Sequence, residues 1–128
     1  MKFARVVFII AGVYGIVGLA PLYFMESMVV QQTGSGFNHP EYYYGFLGVT
    51  LSWQVAFLVI ASDPIKYRNL MYAACLEKLS FSVAIPILFL QERVAMSMNY
   101  AAGVDFLLLL LFIGAILKTG VESKSGSV

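Results

Sequence analysis

The stretch that decides the fold is residues 62–90, SDPIKYRNLMYAACLEKLSFSVAIPILFL. It opens with the turn signal Ser62-Asp63-Pro64, in which Asp63 can cap a helix N-terminus and Pro64 suits the first turn of a helix. A mostly apolar run then continues to about Leu90, which is long enough for a helix that crosses about 30 Å of hydrocarbon. The sequence therefore predicts a tight hairpin followed by a membrane-spanning helix that begins at residue 64.

Three further apolar runs of similar length lie on either side of this stretch. The chain is 60% hydrophobic and only 12% charged, whereas a soluble domain has roughly 45–50% apolar and about 25% charged residues. The predicted spans are at about residues 6–25, 42–61, 64–90 and 100–117. We therefore predict an all-α transmembrane four-helix bundle with antiparallel up-down topology, a single domain over residues 1–121 and a polar, disordered tail over residues 122–128.

The distribution of basic residues predicts an orientation. Arg93 is the only basic residue in a loop on one side of a four-span topology. The basic residues on the other side are Lys2, Arg5, Lys66, Arg68, Lys118 and Lys124. Because cytoplasmic loops carry the excess of Lys and Arg, this asymmetry predicts a multi-pass protein of the cytoplasmic (inner) membrane with both termini inside.

Glu77 and Lys78 are charged residues in the middle of the third predicted span. A charge at that depth costs about 2.5–3.5 kcal/mol on insertion scales, so such residues usually face the protein interior and find partners. Gln54 reaches a similar depth across the tight hairpin, and we predict a buried polar centre of these three residues. If this centre binds a ligand, the expected lining residues are Trp53, Thr50 and Phe81.

The helical faces are only partly assigned by the sequence. On the third span, the face that suits lipid consists of Leu76, Leu79, Val83 and Ile87. On the first span, Gly12, Gly15 and Gly18 suit close helix packing. The second span carries a small-residue face of Gly45, Gly48, Ser52 and Ala56, with Gln54 and Thr50 pointing almost opposite. Either face of the second span could look inward, and the sequence does not decide between them.

Asp105 belongs to a second predicted polar site, near the outer end of the last span. From there it could reach interfacial water, or pair with Arg93 or His39 in the outer loops. One histidine without companions is a poor metal site, and the lone Cys75 excludes an intrachain disulfide. We predict no catalytic residue, no metal and no cofactor. Without a basic stripe, nucleic acid is not an expected partner either.

A resemblance to a known group rests on residues 53–78. The residues that carry it are Trp53-Gln54, Phe57-Leu58, Asp63-Pro64, Tyr67-Arg68, Met71 and Leu76-Glu77-Lys78. This pattern resembles that of small bacterial four-helix membrane proteins, broadly DoxX-like. The resemblance implies a compact four-helix bundle, with roles that range from partner membrane subunit to assembly factor.

Three classes of function remain open at this level. The first is a noncatalytic bundle that binds or stabilises a membrane partner, either another membrane protein or a second copy of the chain. The second is a site between the helices for a lipid, a quinone-like molecule or another amphiphile, since bundles place their pockets there. The third is proton transfer or catalysis by Glu77 and Lys78.

Overall fold

The computed structural model describes residues 2–28, 40–94 and 96–126, with side chains up to residue 121. Its long helices are α1 (Lys2–Leu19), α2 (Pro40–Ser62), α3 (Arg68–Leu90) and α4 (Met98–Gly126), and α1 continues as a short 3-10 helix (Ala20–Phe24). All four are long and apolar enough to cross a membrane, and no strand occurs in the described ranges. The prediction of an all-helical protein with four apolar helices is confirmed.

The boundaries of α3 and α4 differ from the predicted spans. Helix α3 begins at Arg68 rather than at residue 64. Asp63 instead stabilises the intervening turn, because its Oδ1 accepts a hydrogen bond from the Lys66 backbone N–H at 3.2 Å. Pro64 in this turn is buried. Helix α4 continues to Gly126, into the tail that was predicted to be disordered, since no proline interrupts the helix there.

The four helices pack as two pairs that α1 and α4 join. The most extensive contacts are those of α1 with α2 and of α3 with α4, followed by those of α1 with α4. Helices α2 and α3 share far fewer contacts, although the hairpin between them is short. The second and third spans are therefore joined by a short turn but pack against each other only sparsely.

The apolar core occupies one part of the bundle, which we call the packed half and define as residues 4–11, 57–61, 71–74 and 108–116. Three fully buried phenylalanines form its centre. The Phe8 and Phe112 rings stack with centroids 4.3 Å apart, and Phe57 meets Phe112 edge-on at 5.1 Å. Such offset and edge-on pairs contribute beyond the apolar area that they bury.

Glycines of α1 allow α2 to approach closely. A Cβ at Gly12 would lie 2.7 Å from the Leu58 side chain and 2.9 Å from the Gln54 carbonyl oxygen, and a Cβ at Gly15 would overlap the Gln54 carboxamide. Gly18 differs, because nothing lies within 4 Å of a Cβ there. Two of the three predicted packing glycines therefore pack against α2, and the third borders open space.

The inward face of α2 is the one that carries Gln54. Gln54 is only 1% exposed, and Phe57 is fully buried on the same side. On the opposite face, Gly45 and Ser52 are exposed. The predicted lipid face of α3 is also on the outside, with Leu76 64% exposed. A polar residue of α2 therefore points into the bundle, whereas Gly45 and Ser52 of the small-residue face point away and Gly48 and Ala56 are half-buried.

Two arginines connect helices at one end of the packed half. The Arg5 Nε donates a hydrogen bond to the Ala61 carbonyl at 3.0 Å, near the C-terminus of α2. Arg68 donates from Nε and Nη2 to the Ile116 carbonyl at 3.2 and 2.9 Å. Gly120 makes room for this guanidinium, since a Cβ there would lie 2.8 Å from Nη2. Arg5, at the C-terminus of α2, also complements the dipole of that helix.

Candidate ligand-binding site

A cavity of about 520 Å³ lies beyond the packed half, and its volume is within the usual range of small-molecule sites, about 300–1,000 Å³. All four helices contribute to its wall. The lining residues are Tyr14, Gly15, Gly18, Leu19, Phe46, Thr50, Gln54, Glu77, Lys78, Ser80, Phe81, Ala101 and Asp105. We call this part of the bundle, residues 14–19, 46–54, 77–81 and 101–105, the open half.

Small side chains and sparse helix contact account for the space. Gly18 leaves room on the α1 side of the cavity, and Ala101 is the lining residue of α4 nearest its N-terminus. Helices α2 and α3, which flank the cavity, make few contacts with each other. Close packing of helices depends on side chains that fill the space between them. The open half therefore keeps a void where the packed half has phenylalanine rings.

Lys78 is the centre of an ionic cluster in the cavity wall. Its Nζ lies 3.3 Å from Asp105 Oδ1, to which it donates a hydrogen bond, and 3.6 Å from Glu77 Oε2. The lysine is only 4% exposed. The cluster therefore joins α3 to α4 through a buried ammonium that two carboxylates share, as expected of charges at membrane depth.

The same ammonium also contacts the packed half. Lys78 Nζ lies 5.3 Å from the centroid of the Phe57 ring, within the range of a cation–π interaction. The four-carbon stem of a lysine packs well against apolar groups. Lys78 thus forms the boundary between the aromatic core and the cavity.

Gln54 presents a buried oxygen that lacks a hydrogen-bond donor. Its Nε2 donates to the Thr50 carbonyl at 3.0 Å. Since a carbonyl can only accept, this bond fixes which end of the carboxamide is nitrogen. The remaining atom, Oε1, is buried without a partner among the described residues. A buried acceptor without a donor typically costs about 1–3 kcal/mol.

Glu77 provides a second acceptor of this kind. Its Oε2 is buried and accepts no hydrogen bond among the described residues, although Lys78 Nζ is near enough for an ion pair. Two acceptors of the polar wall, Gln54 Oε1 and Glu77 Oε2, therefore lack donors among the described residues. The wall also holds two carboxylates, those of Glu77 and Asp105, against the single ammonium of Lys78.

The predicted polar centre is brought together in part. Gln54, Glu77 and Lys78 all line the cavity, as do the predicted lining residues Thr50 and Phe81. Gln54 is not hydrogen-bonded to the charged pair and bonds to its own helix instead. Trp53, the third predicted lining residue, packs against the apolar core, with its ring centroid 6.4 Å from that of Phe57.

The predicted second polar site is arranged differently. Asp105 joins Lys78 in the ionic cluster, while Arg93 Nη1 contacts Gln91 Oε1 at 3.4 Å. His39 lies outside the described residues. Counting along the helices places Asp105 about 10 Å from the start of α4 and Lys78 about 18 Å from the end of α3. The two residues can still meet, because helix ends need not lie level and a lysine stem spans several ångströms.

The contribution of α1 to the site was not predicted. Tyr14, Gly15, Gly18 and Leu19 line the cavity, although the glycines had been interpreted only as packing residues. Phe46 of α2 and Ala101 of α4 were likewise missed. The available signal was the glycine pair Gly15 and Gly18. A glycine either lets a neighbouring helix approach closely or, where no neighbouring side chain occupies the space beside it, leaves a gap.

Among the described residues, no three His, Cys, Asp or Glu side chains are grouped so that they could hold a metal ion. Comparisons with models of protein families, with curated proteins and with solved structures find no match to this chain. The DoxX-like resemblance therefore stays a prediction. Fold and site together define a class: a protein of four potential membrane-spanning helices with a mostly apolar cavity between them that has one polar wall.

Proposed function

We propose that the chain is an integral membrane protein that binds an amphiphilic small molecule in the cavity of its open half. The observation that carries this proposal is the cavity itself: about 520 Å³, mostly apolar, with a polar wall of Gln54, Glu77, Lys78 and Asp105. Ligand sites commonly combine an apolar lining with a few convergent polar groups. Among the three classes predicted from sequence, the geometry best supports the small-molecule site.

The proposed ligand lies with its apolar body along the aromatic and aliphatic part of the cavity. Leu19, Phe46 and Phe81 supply that surface, drawn from three different helices. The head of the molecule meets the ionic cluster and the Gln54 carboxamide. Binding of this kind needs no chemical step, so the proposed role is noncatalytic.

The proposed location is the cytoplasmic membrane, with up-down topology and both termini inside. Support comes from the basic residues: Arg5 of α1 contacts the end of α2, and Arg68, the first residue of α3, contacts Ile116 and Thr119 of α4. Such a grouping of cations at one end of the bundle suits the cytoplasmic interface. Arg93, between α3 and α4, would then lie on the opposite side.

Filling the cavity tests the proposal. Gly18→Leu places a side chain in the cavity where a Cβ meets no atom within 4 Å, and Gly103→Leu is the matched control, because its Cβ also meets nothing and Gly103 does not line the cavity. Each protein is reconstituted in phosphatidylcholine nanodiscs and titrated with dodecylamine, dodecanol and dodecanoate, with native mass spectrometry as the readout.

We expect at least one dodecyl probe to bind saturably, one molecule per chain, to the wild type and to Gly103→Leu. Gly18→Leu should weaken that binding by about tenfold, equivalent to about 1.4 kcal/mol. Failure of all three probes to bind the wild type would contradict the proposal. Equal binding by Gly18→Leu and Gly103→Leu would contradict it as well.

A second candidate function is the binding of a membrane partner, which the outward face of α2 supports. Gly45 and Ser52 are exposed on this face, and small residues let another helix approach closely. The proposed partner is a second copy of the chain. Mass photometry of the wild type in nanodiscs should then show a dimer that Gly45→Leu converts to a monomer, and a monomeric wild type would contradict this candidate.

A further inference from the structure

We infer that the cavity selects an amphiphile whose head is a protonated primary amine, in other words an alkyl ammonium. This inference rests on the proposed function and specifies the class of ligand that the same site takes. Three features of the wall lead to it: its charge balance, its unmatched hydrogen-bond acceptors and its apolar lining.

The charge balance of the wall favours a cation. Glu77 and Asp105 contribute two carboxylates, and Lys78 contributes the one ammonium that contacts both. If all three groups are ionised, the cluster carries one excess negative charge in a region of low dielectric. Buried charges at membrane depth are stabilised by partners of opposite sign. A cationic head in the cavity would supply the missing partner.

The hydrogen-bonding groups of the wall favour a donor. Gln54 Oε1 and Glu77 Oε2 are both acceptors, and both lack a donor among the described residues. Both atoms are buried within the wall, so in the proposed complex the Gln54 and Glu77 side chains rotate to present them to the ligand. A primary ammonium carries three N–H donors and no acceptor. Its hydrogen-bonding pattern is thus the complement of these two unmatched acceptors.

Other amphiphilic heads match this wall less well. A fatty carboxylate would add a third negative charge beside Glu77 and Asp105. An oxidised quinone offers only acceptors, and the buried Lys78 ammonium already contacts two carboxylates. A neutral alcohol provides one donor but leaves the charge balance unchanged. A trimethylammonium head carries the charge but has no N–H to donate.

A head-group series on one constant alkyl chain tests the inference with the wild-type protein. The probes are dodecylamine, dodecyltrimethylammonium, dodecanol and dodecanoate, titrated at neutral pH into phosphatidylcholine nanodiscs. We expect dodecylamine to bind about tenfold more tightly than dodecanol and dodecyltrimethylammonium, and more tightly still than dodecanoate. The wild-type series decides the matter without depending on the folding of any variant.

A variant without the two carboxylates then locates the preference. Glu77→Gln combined with Asp105→Asn removes both carboxylates while keeping side-chain size, and it should abolish the preference for dodecylamine over dodecanol. Glu92→Gln is the matched control, since Glu92 is an exposed carboxylate in the turn after α3 and does not line the cavity. This control should keep the full preference.

Two sources could supply a primary ammonium in a membrane: a lipid with an ethanolamine head, or a free alkyl amine. Repeating the dodecylamine titration in nanodiscs that contain phosphatidylethanolamine separates them. Weaker dodecylamine binding would identify the lipid as a competitor, and unchanged binding would identify the free amine. Both results agree with recognition of the ammonium.

The outcomes distinguish this inference from the proposal on which it rests. Equal binding of all four probes, or tighter binding of dodecanoate, would overturn the ammonium inference and leave the amphiphile site standing. No saturable binding of any probe would overturn both. Retention of the dodecylamine preference in the Glu77→Gln/Asp105→Asn protein would also overturn the inference, because the excess carboxylates would then not be its cause.

Discussion

The two halves of the bundle are built from the same four helices, yet they use their interior differently. The packed half fills it with the rings of Phe8, Phe57 and Phe112 and with small residues between them. The open half surrounds a cavity and places a lysine, two carboxylates and a glutamine in its wall. The comparison indicates that the close packing resides in one half, and we propose that ligand recognition resides in the other.

Lys78 lies at the boundary between these halves. Its ammonium contacts the Phe57 ring on one side and the two carboxylates on the other. Its burial therefore depends on both: on the packed half for apolar cover and on the open half for charge compensation. The division predicts that substitutions in the packed half affect folding and that substitutions in the open half affect binding.

The largest expected effect is the loss of an aromatic ring from the packed half. Phe112→Ala should lower the free energy of unfolding by about 3–5 kcal/mol, because it opens a cavity among rings that are in van der Waals contact. The comparison is with Phe81→Ala in the open half, for which we expect about 1 kcal/mol. SDS titration in mixed micelles measures both free energies of unfolding. Equal losses of stability in the two variants would contradict the distinction between the halves.

Removal of the central ammonium should have the next largest effect. Lys78→Met leaves Glu77 and Asp105 without a counter-ion, and we expect a loss of about 3 kcal/mol, since breaking a buried ion pair leaves uncompensated charge. Adding Glu77→Gln and Asp105→Asn should restore stability to within about 1 kcal/mol of the wild type, because no charge then remains. A triple variant as unstable as Lys78→Met would contradict the ionic account.

A methyl group at the contact between α1 and α2 should have a smaller effect. Gly15→Ala brings a Cβ into the Gln54 carboxamide, and overpacking of this kind costs about 1–3 kcal/mol. Gly103→Ala, where a Cβ meets nothing, should instead be neutral or gain up to about 1 kcal/mol of helix propensity. The same SDS titration compares the two, and equal stability would show that the Gln54 side chain moves freely.

The smallest expected effect separates the cavity lining from the neighbouring core. Phe46 lines the cavity and Trp53 does not, although both are aromatic residues of α2. Phe46→Ala should weaken dodecylamine binding about fivefold, close to 1 kcal/mol, and Trp53→Ala should leave it unchanged. Native mass spectrometry of the folded proteins provides the measurement. If Trp53→Ala weakened dodecylamine binding and Phe46→Ala did not, the binding site would have to lie beside Trp53 instead.

The four helices could be predicted from the sequence because the hydropathy of a segment depends only on the residues of that segment. Four apolar runs predicted four helices, and the Leu76 face of α3 was correctly predicted to lie outside. The turn at Asp63 was recognised, but the start of α3 was placed four residues early. Local capping preferences allow a helix to begin at Pro64, and the observed hydrogen bond to Lys66 forms a separate turn instead.

The site depends on relative helix positions, which no single segment specifies. Glu77 and Lys78 were identified by their cost at membrane depth, whereas Asp105 was assigned to a separate site because its depth was counted from its own helix end. The inward face of α2 was undecided until Gln54 was found against Gly15. The cavity itself arises from the sparse contact between α2 and α3, which a short hairpin does not predict.

Photocrosslinking tests the central claim most directly, namely that the open half holds the ligand. A dodecylamine analogue with a diazirine on its alkyl chain is bound to the wild-type protein in nanodiscs, irradiated and mapped by peptide mass spectrometry. The account predicts crosslinks to the cavity residues Leu19, Phe46 and Phe81, which excess dodecylamine suppresses. Crosslinks confined to outward residues such as Leu76 and Val83, insensitive to excess dodecylamine, would contradict it.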